Sequence, residues 1–312
     1  MTSFAFVFPG QGSQSVGMLD AWGDHPAVLQ TLEEASQALG EDLARLIHAG
    51  PKEQLDLTAN TQPVMLTAGV ACYRAWLAES GRAPAWVAGH SLGEYSALVA
   101  SGVLTLADAL PLVRFRAQAM QEAVPVGTGA MAAILGLDAA LVREGCAEAA
   151  AASGEVVEAV NFNDPKQTVI AGSKAGVEKG CEVLKAKGAK RALPLPVSAP
   201  FHSSLMKPAA ERLKERLAAT PFAAPRIPVV NNIRVAVETD ADAIRQALYE
   251  QAFGPVRWVE VVQSLRARGA GVIIECGPGK VLAGMVKRID PEVPAATVLD
   301  PASLEEARRL VA

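Results

Sequence analysis

Five consecutive residues, Gly89-His90-Ser91-Leu92-Gly93, restrict what this chain can fold into more than any other stretch. They fit G-x-S-x-G, the pattern of a serine carried on a sharp turn from a strand into a helix. The flanks agree with that geometry. Ala83-Pro84-Ala85-Trp86-Val87-Ala88 reads as a short apolar strand, and Leu92 to Ser101 reads as the start of a helix. Glycine on either side lets a strained turn form and lets neighbouring chain come close. Such a turn lifts the hydroxyl clear of the sheet and sets it at a helix N-terminus. There, free N–H groups and the positive dipole end favour a developing oxyanion. The same five residues also describe a tight turn with an incidental serine, so the rest of the chain has to decide.

The wider pattern is α/β. Phe4–Phe8 is a buried strand running into a glycine-rich loop, Pro9-Gly10-Gln11-Gly12-Ser13-Gln14. Helical patterns follow to about Gly40, over Gln62–Ser80, and from the serine turn to about Val124. Strands separated by helices of this length predict a parallel sheet covered on both faces. The texture changes near Pro125. Strand-like Gly129–Leu137, helical Leu141–Ser153, strands Val156–Asn161 and Gln167–Ala171 around the turn Asn163-Asp164-Pro165-Lys166, helical Gly176–Lys187 and strand Arg191–Val197 follow in order. This β-α-β-β-α-β order is the ferredoxin-like signature. It predicts a small unit over 125–198 inserted into a larger α/β catalytic unit made of 1–124 and 199–312. After Pro200 the helix–strand alternation resumes, with strands at Val229–Asn231 and Gly271–Glu275.

Composition narrows the class. With 312 residues, half of them hydrophobic and 20% charged, the chain can bury a large core. A net charge of −4 argues against nucleic acid as the main partner. Cys72, Cys146, Cys181 and Cys276 are scattered without C-x-x-C spacing, which predicts reduced thiols in a cytoplasmic protein and no zinc site. Phe4–Phe8 is too short for a signal peptide, and no apolar run approaches the roughly 18 residues that span a bilayer. The expectation is no membrane association, no metal and no cofactor. Nothing in the sequence demands an oligomer, so a monomer is expected. Neither the loop at Gly10 nor Gly277-Pro278-Gly279-Lys280 carries the Lys-Ser/Thr ending of a phosphate-binding P-loop. The second reads as a turn feeding a helix.

A serine nucleophile needs a base, and the chain has four histidines. His90 abuts the serine, but neighbours on a tight turn point in different directions, so it reads as a packed turn residue. His25 and His48 lie in polar helical segments and read as solvated. His202 follows Ser198-Ala199-Pro200-Phe201, where the inserted unit returns the chain to the larger one, a common place for a site. By elimination it is the candidate base, with a purely structural histidine as the alternative.

Taken together, the motifs resemble the malonyl-CoA:acyl carrier protein transacylase family, the loading enzymes of bacterial fatty-acid synthesis. The matching pieces are 8–14 (Phe8-Pro9-Gly10-Gln11-Gly12-Ser13-Gln14), 89–95 (through Glu94-Tyr95), 114–121 (containing Arg116), 127–131, Asn161-Phe162-Asn163, 196–203, Gln251 and Glu275-Cys276-Gly277-Pro278-Gly279-Lys280. They run in the family's order across nearly the whole chain. The resemblance implies a hydrolase-like α/β core with an inserted ferredoxin-like subdomain.

It also implies roles. Ser91 would become acylated by the malonyl thioester, and His202 would take its proton and later activate the incoming thiol. No acid partner for His202 declares itself; the backbone carbonyl at Gln251 would orient the imidazole. The alternative for Gln251 is a surface residue at a helix end whose side chain does little. Backbone N–H groups of Gln11 and Leu92 would form the oxyanion hole. Arg116, on a largely apolar helix, would grip the malonyl carboxylate with parallel charge-assisted hydrogen bonds. Its alternative is to reach solvent or to pair with Glu122 or Asp108. Leu92, Met120 and Phe201 would wall the acyl group, and bulky Phe201 should crowd a substituent on the malonyl α-carbon, favouring malonyl over methylmalonyl. Asn161 and Asn163 would lie near the pantetheine arm, or else serve turn chemistry.

The implied partners are malonyl-CoA and an acidic acyl carrier protein. Lys174, Lys179, Lys185, Lys187, Lys190 and Arg191 face only Glu178 and Glu182 in sequence and form a candidate docking patch, with a solvated helix face as the alternative. Lys280, Lys287 and Arg288 are a second, smaller candidate. Three other functions compete. A serine hydrolase would favour Ser…Asp/Glu…His order with a late histidine, whereas about a third of the chain follows His202. A non-catalytic carrier-protein adaptor would not need Ser91, His202 and Arg116 intact. A stand-alone acyltransferase loading a polyketide-pathway carrier protein would share every one of these residues.

Overall fold

A computed structural model describes residues 2–197 and 199–312; Ser198, the expected end of the inserted unit, lies outside the described residues. The chain begins with strand β1 (Phe4–Phe8), followed by helices α1 (Pro26–Leu39), α2 (Leu43–Ala49), α3 (Lys52–Leu55) and α4 (Thr58–Ser80). Strand β2 (Trp86–Gly89) turns into α5 (Gly93–Ala100), and α6 (Leu106–Glu122) follows. A second region holds β3 (Gly129–Leu135), α7 (Ala139–Ser153), β4 (Val157–Asp164), β5 (Gln167–Ser173), α8 (Lys174–Ala186) and β6 (Arg191–Pro194). The chain then continues through α9 (Lys207–Ala219), β7 (Val229–Val230), α10 (Ala241–Phe253), α11 (Trp258–Ala267), β8 (Val272–Cys276), α12 (Val281–Ile289), β9 (Ala295–Val298) and α13 (Pro301–Val311).

The first sheet has the order β7-β2-β1-β8-β9, and every pairing in it is parallel. Central β1 is buried at all five residues because helices cover both faces. Alternation divides its side chains. Phe4, Phe6 and Phe8 pack with Tyr73 and Trp76 of α4, with edge-on rings such as Phe6 and Trp76 at 5.3 Å. Ala5 and Val7 face Val261, Val262 and Leu265 of α11 on the other side. Parallel strands put their carboxyl ends on one edge, where α/β sheets gather their sites. Among the loops that leave from that edge are the one holding Gln11, the turn holding Ser91, the Asn231-Asn232 segment and Gly277-Pro278.

The second sheet, ordered β4-β5-β3-β6, is antiparallel throughout. One face packs Ala132, Ile134 and Ile170 against Val142 and Cys146 of α7 and Val177 and Leu184 of α8. The opposite face presents Met131, Ala133, Val169 and Ala171 toward Leu195, Val197 and Phe201. Hydrogen bonds from Phe162 N to Val256 O (2.9 Å) and from Val256 N to Val160 O (2.8 Å) tie this sheet to the chain before α11. The α/β core with a ferredoxin-like β-α-β-β-α-β unit is therefore the observed architecture.

Several local expectations are corrected. The last strand of the second sheet ends at Pro194, short of Val197: Leu195 N still donates to Met131 O at 2.9 Å, but Pro196 has no N–H and Val197 N turns back to Leu195 O at 2.8 Å. The β4–β5 turn is only Pro165-Lys166, so Asn163 and Asp164 lie within the strand. Strand β9, half-buried at the sheet edge, carries too weak an alternation to read from sequence. His25 is not solvated: it precedes Pro26 at the start of α1, packs on Trp22 and bonds Glu79 at 3.3 Å. All four cysteines are free.

Candidate active site

The serine turn is built by close backbone approach. A Cβ on Gly89 would lie 1.9 Å from the Gly93 backbone, and one on Gly93 would lie 2.0 Å from Phe8 O, so neither position admits a side chain. Between them Ser91 adopts φ 52, a strained conformation for a non-glycine residue. Asn232 holds it there: its Oδ1 accepts from Ser91 N at 2.8 Å and its Nδ2 donates to Gly89 O at 2.7 Å. His202, also in the left-handed region at φ 65, reaches the serine from the loop after β6.

Ser91 Oγ and His202 Nε2 lie 2.7 Å apart. The proton positions follow from the far side of the ring. His202 Nδ1 lies 2.9 Å from Gln251 O, and a carbonyl can only accept, so Nδ1 carries the hydrogen and Nε2 accepts from the serine. That carbonyl is free because it belongs to the last turn of α10, where helix carbonyls have no intrahelical partner. Its partial negative charge also favours the imidazolium that forms if the ring takes a proton. Burial, and then the nearby Arg116 charge, push the resting imidazole down to about 3.

Arg116 is 1% exposed. Its Nη1 donates to Gln62 Oε1 (2.8 Å), and its Nη2 reaches Gln251 Oε1 (3.1 Å) and Ser91 Oγ (3.2 Å). The guanidinium lies over the Tyr95 ring, 5.5 Å from its centroid. Among the described residues no carboxylate comes within ion-pair distance of it, and its Nε has no partner. Glu122 is taken by Arg212 and Asp108 by Thr105, so neither alternative partner is used. A buried cation without a contacting anion is costly, and it makes the pocket a receptor for one.

The remaining candidates surround this group. The cleft is lined by Gln11, Leu92, Met120, Asn161, Asn163 and Phe201. Among the described residues, the backbone N–H groups of Gln11 and Leu92 donate to nothing. Asn163 Oδ1 bonds His90 Nε2 at 2.8 Å, and the His90 ring packs on Trp258, so His90 is a packed turn residue as expected. Gln251 is completely buried, not a surface residue, and its side chain bonds Arg116, Ser91 O and Glu94.

The basic stretch before β6 is not brought to the cleft. Helix α8 packs on the face of the second sheet that points away from it. Lys179 pairs with Glu182, and Lys187 is held by Glu144 and Glu148. Lys185, Lys190 and Arg191 are exposed on that side. By contrast, α12 forms part of the cleft rim through Val281, Leu282 and Met285, and it presents Lys280 and Lys287 to solvent, while Arg288 pairs with Asp164. Gln62, Glu94 and Asn232 escaped the sequence reading. Each carried a signal: a buried amide within the apolar run of α4, a carboxylate directly after the serine motif, and an Asn-Asn pair at the carboxyl end of a parallel strand.

Among the described residues, no group of His, Cys, Asp and Glu side chains could hold a metal ion, and no helix is long and apolar enough to cross a membrane. One pH consequence follows from the neutral base. Because burial lowers the imidazole from 6.5, protonation that would disable it is confined to strongly acidic solution. The pH profile of kcat/KM, which reports the free enzyme, is expected to show no acid limb near that ordinary histidine value. A limb that is centred there and survives in Glu94→Gln, which removes a nearby carboxyl that burial pushes up to about 7, would mean a solvated imidazole.

A serine–histidine pair at the carboxyl edge of a parallel sheet, with a buried guanidinium beside it, equips the chain for acyl chemistry through a serine ester. The family model described as "Acyl transferase domain" matches residues 5–302. The malonyl CoA-acyl carrier protein transacylase of Escherichia coli strain K12 is 55% identical over 311 residues, covering 99% of this chain and 100% of that one. A crystal structure of an acyl-carrier-protein S-malonyltransferase from Burkholderia pseudomallei superposes with a TM-score of 0.97 at 65% identity, covering 99% of this chain and 100% of that one. A malonyl-transacylase solved in complex with a type II PKS acyl-carrier protein has a TM-score of 0.96 at 51% identity, with 99% and 100% covered. The chain belongs to the malonyl CoA-acyl carrier protein transacylase family.

Proposed function

We propose that this enzyme moves a malonyl group from malonyl-CoA to the phosphopantetheine thiol of an acyl carrier protein in two half-reactions. Ser91 Oγ attacks the thioester carbonyl as its proton passes to His202 Nε2. The tetrahedral oxyanion is met by the N–H groups of Gln11 and Leu92, and the C–S bond breaks as coenzyme A leaves with the proton. The carrier thiol then gives its proton to His202 Nε2 and attacks the malonyl ester; the Ser91 Oγ–C bond breaks as His202 returns the proton to Oγ. Arg116 holds the malonyl carboxylate throughout, and Met120, Leu92 and Phe201 enclose the short acyl chain and disfavour methylmalonyl. Asn161 and Asn163 border the pantetheine path.

The observation that carries this reading is the buried Arg116 guanidinium, 3.2 Å from Ser91 Oγ with no carboxylate in contact among the described residues. An esterase for neutral acyl groups has no use for it. In this reading 1–124 and 199–312 form the catalytic unit and 125–198 the inserted one. The enzyme works as a cytoplasmic monomer without cofactor, metal, membrane or nucleic acid. The carrier protein approaches across α12, beside Lys280 and Lys287. Fatty-acid synthesis is the setting suggested by the relatives' names. A polyketide carrier protein is the second reading, favoured by the similarity to the transacylase solved with such a partner.

Intact-protein mass after brief mixing with malonyl-CoA, without a thiol acceptor, tests the proposal. The expected result is a gain of one malonyl group that holo acyl carrier protein removes. Prompt release of free malonate would instead identify a hydrolase, and absence of any adduct would reject covalent transfer.

A further inference from the structure

Beneath the serine turn lies a carboxyl group that the reaction as written does not use. Glu94 is 2% exposed on α5, and no lysine or arginine forms an ion pair with it among the described residues. An acidic side chain so placed is expensive unless its oxygens are well used. One of them is: Glu94 Oε2 accepts from Asn232 N at 2.9 Å and from Gln251 Nε2 at 2.9 Å. These two partners come from separate segments, the loop after β7 and the last turn of α10. Each in turn holds reacting groups. Asn232 Oδ1 fixes the Ser91 amide. The Gln251 carbonyl fixes His202 Nδ1, and its Oε1 fixes Arg116.

We infer that Glu94 is a positioning residue for acyl transfer: its single oxygen Oε2 sets the spacing of nucleophile, base and guanidinium by holding Asn232 and Gln251 together. A second observation supports it. The loop carrying Asn232 closes as a hairpin, with Asn231 N bonded to Ala236 O at 3.0 Å, and contains Val235 at φ 56. A β-branched residue persists in that conformation only where its surroundings over-determine it. The shape of the loop is thus held against local strain, and Glu94 is one of its anchors. Both donors are N–H groups, so what the site needs at position 94 is an acceptor at the full reach of a glutamate side chain. Negative charge is not the requirement.

The inference rests on the malonyl-transfer reading, and one pair of variants separates the two. Glu94→Gln keeps the reach and an acceptor oxygen but loses the charge. Glu94→Asp keeps the charge but withdraws the oxygen by one methylene. Both are compared with the wild type for the single-turnover rate of Ser91 acylation, for malonyl-over-acetyl selectivity, and for melting temperature. Glu94→Gln is expected to stay within several-fold of the wild type in rate and selectivity. Glu94→Asp is expected to acylate about 10²-fold more slowly, the scale of a misplacement of about 1 Å, and to lose selectivity as Arg116 loosens, with a melting temperature close to that of Glu94→Gln. A folded Glu94→Asp enzyme with wild-type rate and selectivity overturns the inference, as does a Glu94→Gln enzyme as slow as Glu94→Asp. If the wild type itself takes no malonyl on Ser91, the transfer reading fails first.

Discussion

Replacing Ser91 with alanine is expected to abolish the malonyl adduct and to lower malonyl transfer by about 10⁶-fold, the scale seen when a serine nucleophile is removed from its catalytic unit. Oγ is the group that His202 Nε2 contacts at 2.7 Å, and it stands beside the unbonded N–H groups of Gln11 and Leu92. Among the described residues, no other hydroxyl or thiol is hydrogen-bonded to the base. Cys72 and Cys276 are buried in the core, and the Ser203 hydroxyl bonds Pro200 O. Alanine tolerates φ 52 no better and no worse than serine, so the turn should survive and the fold should be retained. Intact mass and the transfer assay check this together. A malonyl label persisting on the variant would move the nucleophile elsewhere.

Replacing Arg116 with alanine is expected to weaken malonyl transfer by about 3 kcal/mol in kcat/KM, in the range of hydrogen bonds to a charged group, or more than 10²-fold. Acetyl transfer should fall much less, because an acetyl group has no carboxylate to hold. Arg116→Lys should not restore malonyl selectivity. Gln62 and Gln251 grip the guanidinium from two directions, and an ammonium point charge cannot span both while presenting paired donors to a carboxylate. Malonyl-to-acetyl selectivity unchanged in Arg116→Ala would remove this residue from the acyl site.

These two predictions draw on residues that the sequence made visible, and the reason is local. The serine turn announces itself because its geometry requires glycine where Gly89 and Gly93 meet Gly93 and Phe8 backbone. Arg116 stands out as a charge within an apolar helix. The β-α-β-β-α-β order is legible because each element is long enough to carry its own period. Strand β9 and the early end of β6 were not, since a four-residue, half-buried edge strand has little hydrophobic alternation, and β6 stops where Val197 N bonds back to Leu195 O and not to β3.

What the sequence determined by itself, then, is the list of chemical groups and the two-part α/β plan: a serine on a strained turn, a histidine at the junction, an arginine on an apolar helix. Tertiary structure alone decided how they are joined. His202 could be named by elimination, but its neutral state and its tautomer come from burial and from a carbonyl that α10 happens to leave free at its end. From the sequence, Gln251 is expected to offer a backbone carbonyl, with a surface helix-end residue as the alternative; three-dimensional packing makes its side chain as well a buried joint between base and guanidinium. Glu94 and Asn232 lie 138 positions apart, and no local pattern links them. The lysines of α8 read as one basic face, yet sheet topology turns them from the cleft and neighbouring α7 supplies the acids that neutralise Lys187. Periodicity and turn chemistry act over a few residues and are written in the chain. Hydrogen-bond partners and electric fields act across space, and only the fold sets those distances.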